Sequence, residues 1–327
     1  MLWLRYILNL AIILALVVVS LGAYTRLTNA GLGCPDWPGC YGQLRMPAEG
    51  EGRTAAQALY PDQRIDAIKA WTEMVHRYVA GCLVFLILVS LGLVVASRRR
   101  GENLSLKFPV FLVAWIGFQA VLGMWTVTWR LLPIVVMAHL LSGAILFCGL
   151  VLFRVQVSQI SFKRLPAWRP WIGLGLLIVF LQMALGGWVS ANYAGIACEG
   201  FPTCNGAWWP VHWSSLKMAL YVLNSPIGMN YQGGVLQHEV RVVIQVIHRW
   251  GALVTTLYSL SLVSLLWMNR PDRFWRGMGG WVLLLLTVQI LLGIINVLYY
   301  LPLPVAVLHN VVAVLLFSTW GVMRYAN

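Results

Sequence analysis

Four histidines recur at matching places in this sequence and carry its clearest chemistry. His76 and His139 lie in the first half, and His248 and His309 lie in the second. Each is a few residues inside a long apolar segment, where an ionisable side chain is costly and usually functional. Two imidazoles on neighbouring helices make a suitable axial pair for haem iron. A single membrane histidine often only bonds a neighbouring helix, but four at related positions favour haem ligation over copper or zinc.

Glu73 is the acidic residue that stands out, because nearly all the others lie in loops. It precedes His76 by three residues, a spacing that puts both side chains on one helix face. A carboxylate near a haem edge could take a proton or stabilise positive charge on a substrate. The corresponding residue of the second half is Gln245, so we expect one haem to be acted upon and the other to be a cofactor. Glu73 could instead be an interfacial residue that is favourable at a helix N-terminus.

An arginine follows the first histidine of each pair. Arg77 follows His76, and Arg249 follows His248. The guanidinium fork suits carboxylates, so either arginine could contact a haem propionate. The alternative is an arginine that reaches the lipid headgroups.

Two cysteine pairs have the same spacing. Cys34 and Cys40 flank CPDWPGC, and Cys198 and Cys204 flank CEGFPTC. Five intervening residues with Pro and Gly could close a small loop, and an oxidising compartment permits disulfides. We therefore predict one disulfide in each half, Cys34–Cys40 and Cys198–Cys204.

The elements that position these residues are membrane helices, as the composition shows. Sixty per cent of the 327 residues are hydrophobic and 10% are charged, against about 25% charged in soluble domains. The formal net charge of +13 comes from short basic clusters between apolar runs. Such clusters fix membrane topology, so nucleic-acid binding is not expected.

Eight segments are long enough to span a membrane, which takes about 20 apolar residues. They cover roughly 5–23, 71–97, 108–128, 133–153, 170–190, 239–267, 276–298 and 304–324. The basic clusters all fall on one side, which predicts cytoplasmic N- and C-termini and cysteine loops outside. The clusters comprise Arg98, Arg99, Arg100, Lys107, Arg154, Lys163, Arg164, Arg169, Arg270, Arg273 and Arg276. His76, His139 and His309 should lie roughly 8–9 Å from their helix starts, counted from Trp71, Pro133 and Pro304. We expect His248 at a similar depth.

The two halves repeat each other. Residues 21–40 align without gaps on residues 185–204, FQAVLG matches VQILLG, and the four histidines correspond in pairs. Four helices per repeat is an even number, which predicts two parallel repeats about an axis along the membrane normal. The expected fold is an all-α membrane protein of eight transmembrane helices, arranged as two parallel four-helix-bundle repeats. The expected domains are residues 1–160, with a substrate haem, and residues 161–327, with a haem cofactor.

The assembled pattern resembles the haem A synthase family over nearly the whole chain. The motifs that carry the resemblance are GLGCPDWPGC (31–40), E-M-V-H-R (73–77), His139, I-H-R (247–249) and His309. Family membership implies oxidation of a methyl group of haem O to a formyl group by successive hydroxylations. It implies that His76 and His139 hold the substrate haem and that His248 and His309 ligate haem b.

The resemblance also implies roles for the other site residues and for partners. Glu73 matches the family's acidic residue for methyl oxidation, and Cys34 and Cys40 match its outer-loop cysteines. The implied location is the bacterial plasma (inner) membrane. The implied partners are a haem O synthase (a farnesyltransferase) and cytochrome oxidase assembly factors. Small-residue faces such as Gly186-Gly187 would allow a homo-oligomer.

Two other functions fit part of the pattern. A quinol-linked, bis-histidine b-type electron-transfer cytochrome explains the four histidines and the repeat, but not why Glu73 lacks a counterpart. A transporter is compatible with parallel repeats, but the polar residues cluster near the outer leaflet.

Overall fold

The chain forms ten α-helices in the part that a computed structural model describes, residues 1–210, 212–221, 225–269 and 272–327. The helices are α1 (Leu2–Leu27), α2 (Glu51–Leu59), α3 (Ala67–Arg99), α4 (Lys107–Thr128), α5 (Pro133–Ser158), α6 (Arg169–Ala191), α7 (Trp213–Tyr221), α8 (His238–Met268), α9 (Arg273–Leu298) and α10 (Leu303–Ala326). A single 3₁₀ turn, Pro166–Trp168, leads into α6.

Eight of these helices are long and apolar enough to cross a membrane, counted over the described residues. They are α1, α3, α4, α5, α6, α8, α9 and α10, and they confirm the eight spans predicted from the sequence. The chain is therefore an integral membrane protein. The short helices α2 and α7 were not predicted, because they lie inside the two long loops and are too short to show a hydropathy signal.

Helix α3 begins four residues earlier than the apolar segment indicates. Asp66 caps it, since its carboxylate accepts from the backbone N–H groups of Ile68 and Lys69, both at 3.1 Å. Such a cap satisfies N–H groups that a helix start otherwise leaves without partners. His76 consequently lies nine residues after the start of α3, and His248 lies ten after the start of α8.

His139 and His309 each lie six residues after the starts of α5 and α10. The prediction that all four histidines lie equally far from their helix starts is therefore wrong. For His76 the reason is that α3 begins four residues before its apolar segment, whereas His248 lies nine residues inside the predicted segment itself.

Helices pack in corresponding ways in the two halves. In the first half α1 packs on α3 and α5, and α4 packs on α3 and α5. In the second half α6 packs on α8 and α10, and α9 packs on α8 and α10. The halves meet where α5 and α10 pack on each other, with α1 against α10 and α6 against α5.

The interior of this assembly is apolar and continuous across the two halves. Trp275 and Trp320 are among its largest fully buried side chains. Trp320 packs where a Cβ on Gly175 would stand, so this close helix approach requires glycine at that position.

Gly186-Gly187 packs inside this assembly. Gly186 faces the ring of His248, and Gly187 is buried against Met137. The pair is therefore not the association surface that the sequence suggested. Of the basic clusters, Arg270 lies outside the described residues.

Candidate functional site

The four histidines lie on α3, α5, α8 and α10 and form two pairs. Within each pair, His76 with His139 and His248 with His309, the rings lie near enough for a charge on one to affect the other. The structure therefore brings together, within each half, the two imidazoles that the repeat pattern paired. Each histidine is partly buried, and the Nδ1 atoms of His76, His139 and His309 are buried without a hydrogen-bond partner.

Glu73 lies one helical turn from His76 and is 4% exposed. Its Oε2 accepts from the backbone N–H of Cys34 at 3.0 Å, and its Oε1 pairs with the guanidinium of Arg77. The carboxylate is thus held from two sides, by Arg77 of its own helix and by the loop between Cys34 and Cys40, the first cysteine loop. Charge-assisted hydrogen bonds of this kind are stronger than neutral ones, so the position of the carboxylate is well defined.

Arg77 also fastens the cysteine loop to α3. Its Nη1 donates to the backbone carbonyls of Asp36 at 3.1 Å and Pro38 at 3.2 Å, and to that of Gly39. Gly33 permits this approach, since a Cβ there would lie 2.5 Å from the carbonyl carbon of Lys69. Loop, arginine and carboxylate therefore form one unit beside His76.

The cysteine loop has further internal support. The Asp36 carboxylate accepts from the backbone N–H groups of Tyr41 at 2.6 Å and Gly42 at 2.9 Å. Tyr41 is 1% exposed. Burial, and then the charges of Glu73 and Asp36, raise the pKa of the Tyr41 phenol above its usual value. The phenol is therefore neutral at neutral pH and adds no charge next to Glu73.

In the second half an arginine binds the corresponding cysteine loop, but no carboxylate lies beside it. Arg249 donates to the carbonyls of Gly200 at 3.0 Å and Thr203 at 2.8 Å. Gln245 is buried in the place of Glu73, and its Oε1 has no hydrogen-bond partner. Arg249 also keeps its Nε and Nη2 atoms buried and without partners. In both halves an arginine therefore binds the cysteine loop. The residue one helical turn before that arginine is Glu73 in the first half and Gln245 in the second.

Both predicted cysteine pairs lie at disulfide distance. The S–S separation is 2.02 Å for Cys34–Cys40 and 1.99 Å for Cys198–Cys204. Cys82 and Cys148 are unpaired. The loop that Arg77 and Glu73 hold is thus also closed covalently.

Three glutamines beside the histidines were missed in the sequence. Gln119 donates to the backbone carbonyl of His139 at 2.9 Å. Gln182 contacts Nδ1 of His248 at 3.1 Å, and Gln289 contacts Nε2 of His309 at 3.1 Å. The signal that could have found them is that each stands four residues before the glycine of a Leu-Gly pair, in QAVLG, QMALG and QILLG.

The four imidazoles fit haem ligation. Nδ1 is buried without a partner in His76, His139 and His309. Gln182 contacts Nδ1 of His248, and Gln289 contacts Nε2 of His309. Each ring therefore keeps one nitrogen without a hydrogen-bond partner. A buried polar atom without a partner is costly, so the protein alone leaves these rings incompletely satisfied. Neutral imidazole nitrogen is a standard axial ligand of haem.

The comparison with known families agrees with this geometry. A family model described as "Cytochrome oxidase assembly protein", COX15-CtaA, matches residues 5–320. The chain belongs to this family. The match covers both histidine pairs and both cysteine loops, so it applies to the whole site and not to one half.

Individual relatives are similar over the same extent. The chain is 39% identical to the heme A synthase of Shewanella oneidensis, over 98% of this chain and 96% of that protein. It is 27% identical to the heme A synthase of Neorickettsia sennetsu, over 95% of each. It is also 27% identical to the heme A synthase of Paracoccus denitrificans, over 94% of this chain and 83% of that protein. The resemblance inferred from the sequence motifs is confirmed.

Proposed function

We propose that this protein is a haem A synthase, a membrane oxidoreductase that oxidises a methyl group of haem O to a formyl group by successive hydroxylations. The observation that carries the proposal is the buried Glu73, held one turn from His76 by Arg77 and by the Cys34 N–H. Relatives with this activity over the full length of the chain support it. An electron-transfer cytochrome would not need this group in one half and Gln245 in the other.

The difference between Glu73 and Gln245 suggests which half holds which haem. His76 and His139 hold the substrate haem O in residues 1–160, and His248 and His309 hold haem b in residues 161–327. Haem b supplies one-electron transfer when bound there. The matching helix contacts of the two halves support their description as parallel repeats.

Glu73 acts on the substrate side. We place a proton from the reacting position on Oε2, because Oε1 faces the Arg77 cation, which disfavours protonation, whereas Oε2 accepts from the neutral Cys34 N–H. The Cys34 N–H orients that oxygen. A fixed carboxylate also stabilises positive charge that builds up on the substrate.

Arg249 is better placed than Arg77 for a propionate contact. Arg249 keeps two buried nitrogen atoms without partners, whereas Arg77 is already bonded to Glu73 and to three loop carbonyls. We propose that Arg249 contacts a propionate of haem b. For Arg77 we propose loop anchoring as its main role.

The proposed cellular setting is the bacterial inner membrane, with cytoplasmic termini and the cysteine loops outside. The basic clusters between the spans support this orientation. Haem O comes from a haem O synthase, a farnesyltransferase, and the product serves assembly of cytochrome oxidase.

The test is conversion of haem O in a host that lacks haem A. The chain is expressed with a haem O synthase, and haems are extracted and separated by chromatography. Glu73→Gln tests the carboxylate specifically, because it reproduces Gln245 of the second half and keeps an oxygen that can accept from the Cys34 N–H.

The wild type should yield haem A, and Glu73→Gln should yield haem O or a hydroxylated intermediate with normal haem content. General acid–base groups contribute roughly 10²–10⁴-fold, so a loss of at least about a hundredfold is expected. Unaltered haem O from a folded, haem-loaded wild type would leave the electron-transfer cytochrome as the better explanation.

A further inference from the structure

Each of the four histidine rings packs against a glycine of the preceding membrane helix. A Cβ on Gly22, Gly123, Gly186 or Gly293 would lie 3.1, 3.3, 3.2 or 3.2 Å from the Cε1 atom of His76, His139, His248 or His309, respectively. These distances are shorter than ordinary van der Waals contact. The same geometry thus occurs four times, once for each histidine.

The sequence around these glycines is also alike. Each follows a leucine, and the residue four positions earlier is Val18, Gln119, Gln182 or Gln289. Residues four apart share a helix face, so this residue lies beside the same ring as the glycine. The rings of His76, His139 and His309 interact with the backbone of that residue, although Nδ1 has no partner at ordinary hydrogen-bond geometry.

The glutamine side chains add a second contact at three of the four places. Gln182 contacts both Nδ1 and the backbone carbonyl of His248, at 3.1 and 3.0 Å. Gln289 contacts Nε2 of His309, and Gln119 donates to the backbone carbonyl of His139. His76 has Val18 in this place and therefore no side-chain amide.

We propose that the four glycines, together with Gln119 and Gln182, are positioning residues that fix the orientation of the haem-ligand imidazoles. The physical reason is that a ligating histidine keeps its ring plane only if its other atoms are held by the protein. A methyl group in place of the glycine hydrogen moves the ring by a few tenths of an ångström. This inference rests on the proposed function, because it takes the histidines as axial ligands.

The test uses alanine substitutions with matched controls. Gly186→Ala and Gly293→Ala probe the haem b side, and Gly22→Ala and Gly123→Ala probe the substrate side. Gly280→Ala on α9 and Gly117→Ala on α4 are the controls, because a Cβ there meets nothing within 4 Å. The proteins are purified with bound haem from cells that also express a haem O synthase.

The readouts report on the ligand and not on turnover. They are haem per chain, the low-temperature EPR g values of the ferric haem, the reduction potential, and binding of carbon monoxide to the ferrous haem. Gly186→Ala and Gly293→Ala should shift the g values and the potential and let a share of the haem bind carbon monoxide. Gly22→Ala and Gly123→Ala should lower haem O content, and the control variants should match the wild type.

A further variant tests the contact between Gln182 and His248 without placing a new atom against the imidazole ring. Gln182→Leu removes both bonds to His248 and should weaken haem retention roughly tenfold, the low end of outer-partner losses at metal sites. Unchanged spectra, potential and haem content in Gly186→Ala, Gly293→Ala and Gln182→Leu would overturn the proposal.

His248→Ala and His309→Ala separate this proposal from the proposed function. If these variants keep haem with unchanged spectra, the ligand assignment itself is wrong and the positioning role falls with it. If they lose haem while the glycine variants behave like the controls, the ligand assignment stands and the positioning role alone is rejected.

Discussion

Replacing Arg77 by leucine should loosen the first cysteine loop far more than the same change at Arg249 loosens the second. Arg77 pairs with Glu73, and their side chains are 13% and 6% exposed. Arg249 makes the corresponding loop bonds, but the residue one turn before it is Gln245. The two sites therefore differ by one buried negative charge.

The expected difference in loop opening between the two arginine variants follows from the buried charge of Glu73. Removing one partner of a buried ion pair costs about 3–5 kcal/mol, because the other charge stays buried without compensation. Losing hydrogen bonds from a charged donor costs about 1.5–3 kcal/mol. Since about 1.4 kcal/mol is a factor of ten, Arg77→Leu should raise loop opening at least roughly a hundredfold, and Arg249→Leu roughly tenfold.

Amide hydrogen exchange followed by mass spectrometry measures this opening in the purified protein. The peptides to compare cover residues 30–43 and 194–207. The double variant Arg77→Leu with Glu73→Gln reproduces in the first half the groups that Arg249→Leu leaves in the second. Its exchange should therefore fall back toward that of Arg249→Leu, as expected for two coupled residues.

Equal acceleration of the two loops by the single arginine variants would refute this reasoning. So would a double variant that exchanges as fast as Arg77→Leu alone, because the unpaired carboxylate would then not be the cause.

The remaining predictions concern helix α3 and the interior. Asp66→Ala removes the cap of α3 and should cost about 1 kcal/mol, seen as a lower thermal unfolding midpoint than that of Asp66→Asn, which keeps a capping group. A midpoint equal to that of Asp66→Asn would show that the cap does not stabilise the helix start. Gly175→Ala places a methyl group in the ring of Trp320 and should cost about 1–3 kcal/mol, followed by tryptophan fluorescence on heating. Gly173→Ala is its control, with the nearest atom, Nε of Arg324, at 3.5 Å; similar midpoints for the two variants would contradict the overpacking argument.

The membrane helices and the disulfides follow from local patterns. A run of about 20 apolar residues is a complete signal for a span, because lipid requires a helix to satisfy its own backbone. All eight spans were predicted in this way. The cysteine pairs are six residues apart in sequence, so their pairing also depended on a short segment only.

The surroundings of the histidines are decided by tertiary structure. The Glu73 carboxylate meets the Cys34 N–H across 39 residues of sequence, and Gln182 meets His248 across 66. Arg77 was expected at a propionate, yet it holds the loop that carries Cys34. Such contacts depend on how α1 packs on α3 and how α6 packs on α8.

The sequence by itself determined the number of membrane helices, the four histidines and the two closed loops, because each depends on residue type and short spacing. Only the packed structure decided which groups hold the two oxygens of Glu73 and which glycine lies against each imidazole. Those features require side chains from separate helices to meet within hydrogen-bond or van der Waals distance. No periodicity along one segment contains that information.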